Sequence, residues 1–474
     1  MFQFGKLLFN LCLFILFLSS YCFCLLFSLF VIVRTVQDVL VYLFGESAVH
    51  LNVEGLGSVT VQELGRTVRE ALHIPESVQE AFAFWLCSPL LELQLKVRHQ
   101  PYKLCRQWQD LLYRFTEASE DDILQDEPCL QYRRNVFYPK SKELQIDEEG
   151  VLKLLYEEAK NNILTGRYPC DPEHWMGLGA LSFALDEGPS LDNQQFITTL
   201  REKKLSSFLP AHVAMGSGGL LSTLRGKSSR QAGLEQNLWE EYKKISTSVG
   251  NPPDTMQLLH QYLNTCHTLP YYGCAFFFGE IDKPVQGILQ RAKRKPVNVG
   301  ICLEGVYVLD AKEKHVLLGL RFNELSWDYS YPEEEGDSHI LWLEFDGEED
   351  GTPVNKLLKI YSKQAELMSG FIEFCVELKS VAEAAATAEL DGEASLSSGP
   401  DGSSKNGRGG RRGMLRRQSS VVCSRVHSLN TISYVDNGKE IRRLKPKRAA
   451  SFFTRQASTP TYSAVQVAEN LEQG

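Results

Sequence analysis

The spacing of apolar side chains changes twice along this chain, and that change constrains the fold more than any other feature. Residues 49–53 and 91–97 alternate apolar with polar side chains, which is the period of half-buried strands. Residues 152–163 instead place their apolar side chains on one helical face, and residues 297–360 return to strand-like runs. The pattern predicts an α+β fold in which a helical region separates two strand-rich regions.

Local signals refine this plan. Thr60 and Glu63 form a capping box that starts a helix, and Pro75 is expected to stop it. Ser362 is expected to cap a final helix that runs to Leu378. The predicted segments are a hydrophobic N-terminal segment (1–35), a first strand-rich region (36–140), a helical region (141–270), a second strand-rich region (271–380) and a disordered basic tail (381–474).

Charge is divided unevenly between the body and the tail. The formal net charge is -9, yet residues 381–474 hold 14 Lys and Arg against 9 Asp and Glu, which leaves 36 against 50 for residues 1–380. An acidic body argues against a nucleic-acid partner, because nucleic-acid binders present a basic face. The tail is rich in Gly, Ser and Ala and poor in aromatics, so we expect it to be disordered.

The N-terminal stretch of residues 7–33 contains no charged residue. As a helix it is long enough to cross ~30 Å of hydrocarbon, which predicts a membrane anchor. Strand-like sequence follows at once, however, and leaves almost no linker to a folded region. The Phe, Leu and Cys monotony also resembles translated non-coding sequence. The two interpretations, an anchor and a gene-model artefact, stay open at this point.

No motif for catalysis stands out. The sequence has no GxSxG elbow, no HExxH and no kinase signature. Its 12 cysteines include no CxxC pair, which argues against a zinc site. We therefore expect no enzymatic activity, no catalytic residue, no metal and no cofactor.

Several longer motifs resemble those of the FERM domain family. Residues 129–170, "CLQYRRNVFYPKSKELQIDEEGVLKLLYEEAKNNILTGRYPC", are similar to the junction of the first and second FERM lobes. "LPYYGCAFF" (269–277) is similar to the entry of the third lobe, and "FIEFCVEL" (371–378) to its closing helix. The resemblance implies a three-lobed FERM domain with a ubiquitin-like lobe, a helical acyl-CoA-binding-protein-like lobe and a PH/PTB-like lobe.

This resemblance implies a non-enzymatic adaptor at the cytoplasmic face of the plasma membrane that holds the tails of membrane proteins. Residues 101–115, 355–369 and 444–456 further resemble one member of the family. That closer likeness implies inactive rhomboid proteins as partners, with the metalloprotease sheddase that they carry, and receptor tails of the Wnt co-receptor kind. The alternative is an actin-linking scaffold of the ezrin type, although the tail lacks that group's long charged helix.

A peptide-binding groove is expected in the third lobe. In PH/PTB-type lobes, an extended peptide adds as a further strand between an edge strand and the C-terminal helix. By element order, the strand is 326–331 and the helix is 363–378. The candidate groove residues are Trp327, Tyr329, Tyr331, Leu367 and Phe371. The alternative for each is packing in the core of the lobe.

A basic cluster precedes the second strand of the third lobe. In related FERM and PTB modules the corresponding loop faces the bilayer, which predicts contact with anionic lipid headgroups. The candidate residues are Arg291, Lys293, Arg294 and Lys295. A solvated loop is the alternative interpretation.

The tail carries candidate phosphorylation sites. Ser419, Ser451 and Ser458 each follow an Arg by three positions. Ser458 also precedes Pro460 by two, which matches the pattern that 14-3-3 proteins bind. Chance matches in a basic, low-complexity tail are the alternative.

Overall fold

The computed structural model describes residues 36–44, 47–214, 227–248, 254–282, 294–332, 338–349, 352–394, 435–436 and 441–442. Within these ranges the predicted α+β class is confirmed, with two sheets on either side of a helical region in chain order. The buried apolar residues of all three regions form one contiguous cluster. None of the helices in these ranges is long and apolar enough to span a bilayer, and the stretch 7–33 lies outside them.

The first region, here called the N-terminal lobe, is a five-stranded sheet packed on one main helix. Its strands lie in the order β2-β1-β5-β3-β4. The predicted capping box is confirmed, because Thr60 Oγ1 accepts the Glu63 N–H and the Glu63 carboxylate accepts the Thr60 N–H. The helix ends at His73, which has a φ of 54°, before Pro75 is reached. The elements are β1 (Val36–Tyr42), β2 (Ala48–Glu54), α1 (Val61–Leu72), β3 (Phe82–Cys87), β4 (Glu92–Gln94), α2 (Pro101–Arg106), α3 (Trp108–Phe115), α4 (Glu120–Gln125) and β5 (Cys129–Arg134).

The second region, the helical lobe, buries apolar stripes between its helices. Leu152, Leu155 and Ile163 are almost completely buried on one helix, as their spacing predicts. Tyr156 of that helix packs edge-on against Tyr262 at a ring separation of 4.8 Å. The helices are α5 (Lys140–Glu143), α6 (Glu149–Leu164), α7 (Pro172–Glu187), α8 (Asn193–Lys203), α9 (Ala211–Ala214), α10 (Lys227–Ser248) and α11 (Thr255–His267).

The third region, the C-terminal lobe, is a seven-stranded antiparallel sheet closed by one long helix. Its strands lie in the order β10-β11-β12-β6-β7-β8-β9. The Ser362 hydroxyl accepts the Gln364 N–H at 3.0 Å, which confirms it as a cap at the start of the final helix. The elements are β6 (Ala275–Asp282), β7 (Arg294–Cys302), β8 (Gly305–Asp310), β9 (Val316–Arg321), β10 (Leu325–Ser330), β11 (Ile340–Glu349), β12 (Thr352–Tyr361) and α12 (Ala365–Ala394).

The beginning of the tail differs from the prediction. Helix α12 continues past Leu378 to Ala394, so residues 381–394 are helical and not disordered. The reason is composition, since "VAEAAATAELDGEA" is dominated by Ala and Glu, which are strong helix formers. Farther along, Val435–Asp436 (β13) pairs with Ile441–Arg442 (β14), and the rest of the tail lies outside the described residues.

A buried ionic cluster ties the three lobes together. Arg134 at the end of β5 pairs with Glu143 of α5 at 2.6 Å, and their side chains are only 5% and 1% exposed. The same carboxylate contacts His267 at 2.8 Å and accepts a hydrogen bond from the Tyr272 hydroxyl. Burial opposes ionisation of Glu143, but Arg134, His267 and Tyr272 together lower its pKa to about 2. One ionised carboxylate thus joins residues from all three lobes.

A second ion pair network lies beside the first. Arg133 of β5 and Arg167 both bind Glu92, at 3.2 Å and 2.6 Å. Arg133 also contacts Glu158 at 3.4 Å on helix α6. The Gly273 N–H donates to the Tyr168 hydroxyl at 2.9 Å, and this donation fixes the entry to the C-terminal lobe. The ion pairs join the N-terminal lobe to the helical lobe, and the Tyr168–Gly273 hydrogen bond joins the helical lobe to the C-terminal lobe.

Candidate peptide-binding groove

The structure places the predicted edge strand and helix side by side. Strand β10 spans Leu325–Ser330 and ends the seven-stranded sheet, pairing with β11 alone in the described part of the chain. Helix α12 packs along the same end of the sheet and contacts β10 and β11. An edge strand next to a helix is the arrangement in which peptides add to a sheet.

The hydrogen-bond pattern shows which peptide groups of β10 face outward. The Ser362 N–H donates to the His339 carbonyl at 2.9 Å, so odd-numbered β11 residues direct their peptide groups toward β12. Even-numbered β11 residues therefore face β10, where their partners are also even-numbered. The peptide groups that point away from the sheet are those of Leu325, Trp327 and Tyr329.

Trp327 and Tyr329 lie on the face of β10 that is turned toward the core. They stand opposite Leu343 and Leu341, which are completely buried. Both aromatic side chains are half-buried and pack against the core cluster. The Trp327 indole N–H is buried and has no hydrogen-bond partner among the described residues. Trp327 and Tyr329 therefore pack against the core and remain partly exposed at the edge of the strand.

Tyr331 closes one end of the groove. Its side chain is 37% exposed and packs edge-on against Tyr329 at 5.3 Å and His339 at 5.6 Å. Burial, a hydrogen bond with Tyr329 and the neighbouring Glu366 carboxylate all raise its pKa. Glu366 in turn pairs with Arg114 of helix α3 at 2.9 Å. This end of the groove is therefore held by the N-terminal lobe.

The two helix residues in the predicted groove are buried. Leu367 is 5% exposed and Phe371 is 3% exposed. Phe371 stacks on Phe137 at 4.9 Å and meets Phe277 edge-on at 5.6 Å. In this structure they support the groove from within, and the aromatic residues of β10 form its accessible part.

The basic cluster divides into two parts. Arg291 and Lys293 lie outside the described residues. Arg294 begins β7, stacks on the Tyr361 ring at 3.7 Å and approaches Glu280 at 3.8 Å. It is thus engaged within its own lobe.

Lys295 serves an internal ion pair. Its side chain is 18% exposed and its ammonium contacts the fully buried carboxylate of Asp310. Burial alone would raise the pKa of Asp310, but the Glu313 N–H and the Lys295 ammonium lower it. Asp310, Glu313 and His315 lie close enough to suggest metal ligands, yet the Lys295 cation already neutralises the only buried carboxylate of the three.

A second cleft lies between the N-terminal and C-terminal lobes. It has a volume of about 1030 Å³ and includes the exposed side chain of Phe278. The backbone of Phe278 is already bonded there, since its N–H donates to Gln364 Oε1 at 3.0 Å and its carbonyl accepts from Ser362 Oγ at 2.5 Å. Sequence reasoning missed this cleft because its walls come from distant segments. The walls include Pro89, Leu90, Phe115, Arg294, Tyr361 and Lys363.

Six of the eight described thiols are poor nucleophiles. Burial raises the pKa of Cys87 to about 12 and that of Cys105 to about 11. Burial likewise raises the pKa of Cys170, Cys266, Cys274 and Cys375. A thiol acts as a nucleophile through its thiolate, so these environments favour packing over chemistry. The serines predicted as phosphorylation sites, Ser419, Ser451 and Ser458, lie outside the described residues.

Comparison with known proteins identifies the family. Residues 141–277 match the model of the FERM central domain, and residues 295–371 match the model described as KRIT1/FRMD8, FERM domain C-lobe. The chain belongs to the FERM domain family. Within that family it is similar to FERM domain-containing protein 8 of Danio rerio, with 69% identity over 93% of this chain and 94% of the relative. The Homo sapiens protein of that name is 54% identical over 92% of this chain and 94% of its own length.

Two solved structures are similar to this chain at low sequence identity. The human Myosin 7b C-terminal MyTH4-FERM domain, in complex with the harmonin-a PDZ3 domain, covers 72% of this chain and 60% of its own chain, with 13% identity and a TM-score of 0.48. The complex of the Drosophila Merlin FERM and C-terminal domains covers 74% of this chain and 98% of its own chain, with 15% identity and a TM-score of 0.46.

Proposed function

We propose that this chain is a non-enzymatic FERM adaptor at the cytoplasmic face of the plasma membrane, and that it binds cytoplasmic tails of membrane proteins. The outward-facing peptide groups of β10 beside α12 are the observation that carries the proposal. Main-chain groups at a sheet edge provide affinity for an extended peptide, and neighbouring side-chain pockets provide selectivity.

The proposed partners follow from similarity to FERM domain-containing protein 8 across more than 90% of the chain. The adaptor stabilises a complex of an inactive rhomboid protein with its metalloprotease sheddase. It also modulates signalling through a Wnt co-receptor tail. Anionic lipid headgroups add a weak membrane contact, and phosphorylated tail serines recruit 14-3-3 proteins.

Proximity labelling in cells with the full chain tests this function. We expect the labelled proteins to be enriched in membrane proteins, with inactive rhomboids among them. Tyr329→Pro removes one outward N–H from an edge strand, where Pro is tolerated, and should reduce this enrichment. Tyr329→Ala keeps the N–H and separates the loss of the ring from the loss of the hydrogen bond.

A matched pair of exposed tyrosines provides the control. Tyr331→Ala alters the end of the groove, whereas Tyr42→Ala alters a 43% exposed tyrosine on β1 in the N-terminal lobe. Only Tyr331→Ala should weaken the labelling of membrane proteins. The adaptor proposal fails if membrane proteins are not enriched with the unmodified chain. Cosedimentation of the purified chain with filamentous actin would favour the ezrin-type scaffold instead.

A further inference from the structure

A further cavity, here called the helix pocket, opens beside α1 in the N-terminal lobe. It has a volume of about 670 Å³, which is within the range of small-molecule sites. Residues of α1 and the segment 94–97 form two of its walls, and Phe374 of α12 contributes to a third. Because α12 belongs to the C-terminal lobe, the helix pocket lies where two lobes meet.

The floor of the helix pocket is aromatic. Phe82, Phe84 and Tyr132 line it, and each of these residues is no more than 7% exposed. The Tyr132 ring lies 5.2 Å from the Phe82 ring and 5.1 Å from the Phe84 ring. Val97 also lines the pocket and is 61% exposed, so apolar surface remains open to solvent there. These side chains suit the apolar body of a ligand.

Two hydrogen-bond donors lie side by side in the lining of the helix pocket. The Tyr132 hydroxyl is buried next to the Arg69 guanidinium. Arginine can only donate, so the Tyr132 hydroxyl proton has no acceptor in the described part of the chain. Arg69 is half-buried, and none of the carboxylates in the described ranges pairs with it. Because a buried donor without a partner is costly, both donors favour an acceptor that a ligand supplies.

Gly65 leaves the space that the Arg69 guanidinium occupies. It lies in the middle of α1, where glycine is a poor helix former. A Cβ atom at this position would stand 3.1 Å from Arg69 Nη1 and 3.5 Å from the Phe84 ring. Without that atom, the guanidinium folds back over the preceding turn of the helix and reaches the aromatic floor.

The lining carries more positive than negative charge. Arg69 and Lys96 both line the helix pocket, and Glu80 is the one acidic residue among the described residues that do so. The Glu80 side chain is 73% exposed and lies 4.0 Å from the Lys142 ammonium. Its charge is therefore solvated and paired at the rim. The electrostatics of the pocket favour an anion over a cation.

We propose that the helix pocket binds a free fatty acid. Its carboxylate accepts hydrogen bonds from the Tyr132 hydroxyl and the Arg69 guanidinium, which are charge-assisted and therefore strong. Its acyl chain lies on the rings of Phe82 and Phe84 and extends toward Phe374. A bound fatty acid thus adds contacts between the N-terminal lobe and α12. This site is separate from the edge of β10 and does not depend on the proposed function.

Calorimetric titration of the full chain tests the inference. Dodecanoate and dodecanol are the probes, both kept below the concentrations at which they aggregate, because they share the chain length and differ in the charged group. We expect dodecanoate to bind at least about tenfold more tightly than dodecanol, since only the carboxylate accepts charge-assisted hydrogen bonds from both donors. Dodecanoate should also raise the Tm of the full chain.

Three variants assign the binding to the two donors. Arg69→Gln should weaken dodecanoate about tenfold, and Tyr132→Phe, which removes only the hydroxyl, about three- to tenfold. Neither change should alter the affinity for dodecanol, which shows that the pocket keeps its shape. Arg66→Gln is the matched control, because Arg66 is an exposed cation on the same helix that does not line the pocket. It should leave dodecanoate binding unchanged.

The contrary outcomes are distinct. Equal affinities for dodecanoate and dodecanol would overturn the carboxylate site. Equal losses for Arg69→Gln and Arg66→Gln would reduce the binding to general attraction by surface charge, and would overturn it as well. An N-acetylated tripeptide that ends in a free Phe carboxylate is the last arm. Tighter binding of this peptide than of dodecanoate would overturn the assignment to a fatty acid in favour of a peptide C-terminus.

Discussion

Replacing Glu143 with Gln should destabilise the whole folded body. Glu143 accepts from Arg134 at Oε2 and from Tyr272 at Oε1. Gln keeps the shape of the side chain but only one of these two acceptor oxygens. The negative charge is lost, however, and the Arg134 guanidinium remains 5% exposed with no anion beside it. Removing one partner of a buried ion pair leaves an uncompensated charge in a poorly solvated place.

The magnitude follows from the pKa of Glu143. A value of about 2 in the folded chain, against 4.5 ordinarily, corresponds to about 3 kcal/mol of stability in the ionised state. Because this folded pKa is depressed, the contribution is complete above about pH 4.5 and is lost as the pH falls toward 2. Measured losses for broken buried pairs, about 3 to 5 kcal/mol, agree with this figure.

Urea unfolding of the full chain at pH 7 provides the assay. We expect Glu143→Gln to lower the free energy of unfolding by about 3 kcal/mol and to flatten its decline between pH 4.5 and 2. Glu149→Gln is the matched control, since Glu149 pairs with Lys153 at 3.8 Å on the surface and should cost no more than about 0.5 kcal/mol. A loss below about 1 kcal/mol for Glu143→Gln would refute the reasoning.

Three further predictions concern segments outside the described residues. Arg291→Glu with Lys293→Glu should abolish the weak, salt-sensitive flotation of the chain on vesicles that contain anionic lipid; unchanged flotation would indicate a solvated loop. A tail peptide phosphorylated at both Ser419 and Ser458 should bind 14-3-3 more tightly than either singly phosphorylated peptide, through avidity, whereas binding no tighter than the unmodified peptide would exclude recruitment of 14-3-3 by these serines. If residues 7–33 span the bilayer, the protein should resist carbonate extraction and become extractable when they are deleted; a polar first exon in the transcript would show the segment to be an artefact.

Local signals in the sequence predicted local structure well. The Thr60–Glu63 capping box and the Ser362 cap are both present, because each depends on residues within three positions of each other. The edge strand was expected at 326–331 and lies at Leu325–Ser330. The spacing of apolar side chains and the order of the elements were enough to predict these features, since residues close in sequence determine them.

Features that depend on distant residues could not be predicted. The contact of Arg114 with Glu366 joins positions 252 apart, and no pattern in the sequence links them. Lys295 was grouped with its basic neighbours because they adjoin in sequence, but the β7–β8 pairing brings it to Asp310. The outward direction of the Tyr329 N–H could not be predicted either, since it follows from the register of β10 on β11.

Hydrogen–deuterium exchange tests the central claim most directly. The full chain is measured with and without the purified cytoplasmic domain of an inactive rhomboid protein. The account predicts slower exchange in residues 325–331, where the Trp327 and Tyr329 amides gain hydrogen bonds to the added peptide. A complex that forms while exchange in β10 stays unchanged, with protection confined to the cleft beside Phe278, would contradict it.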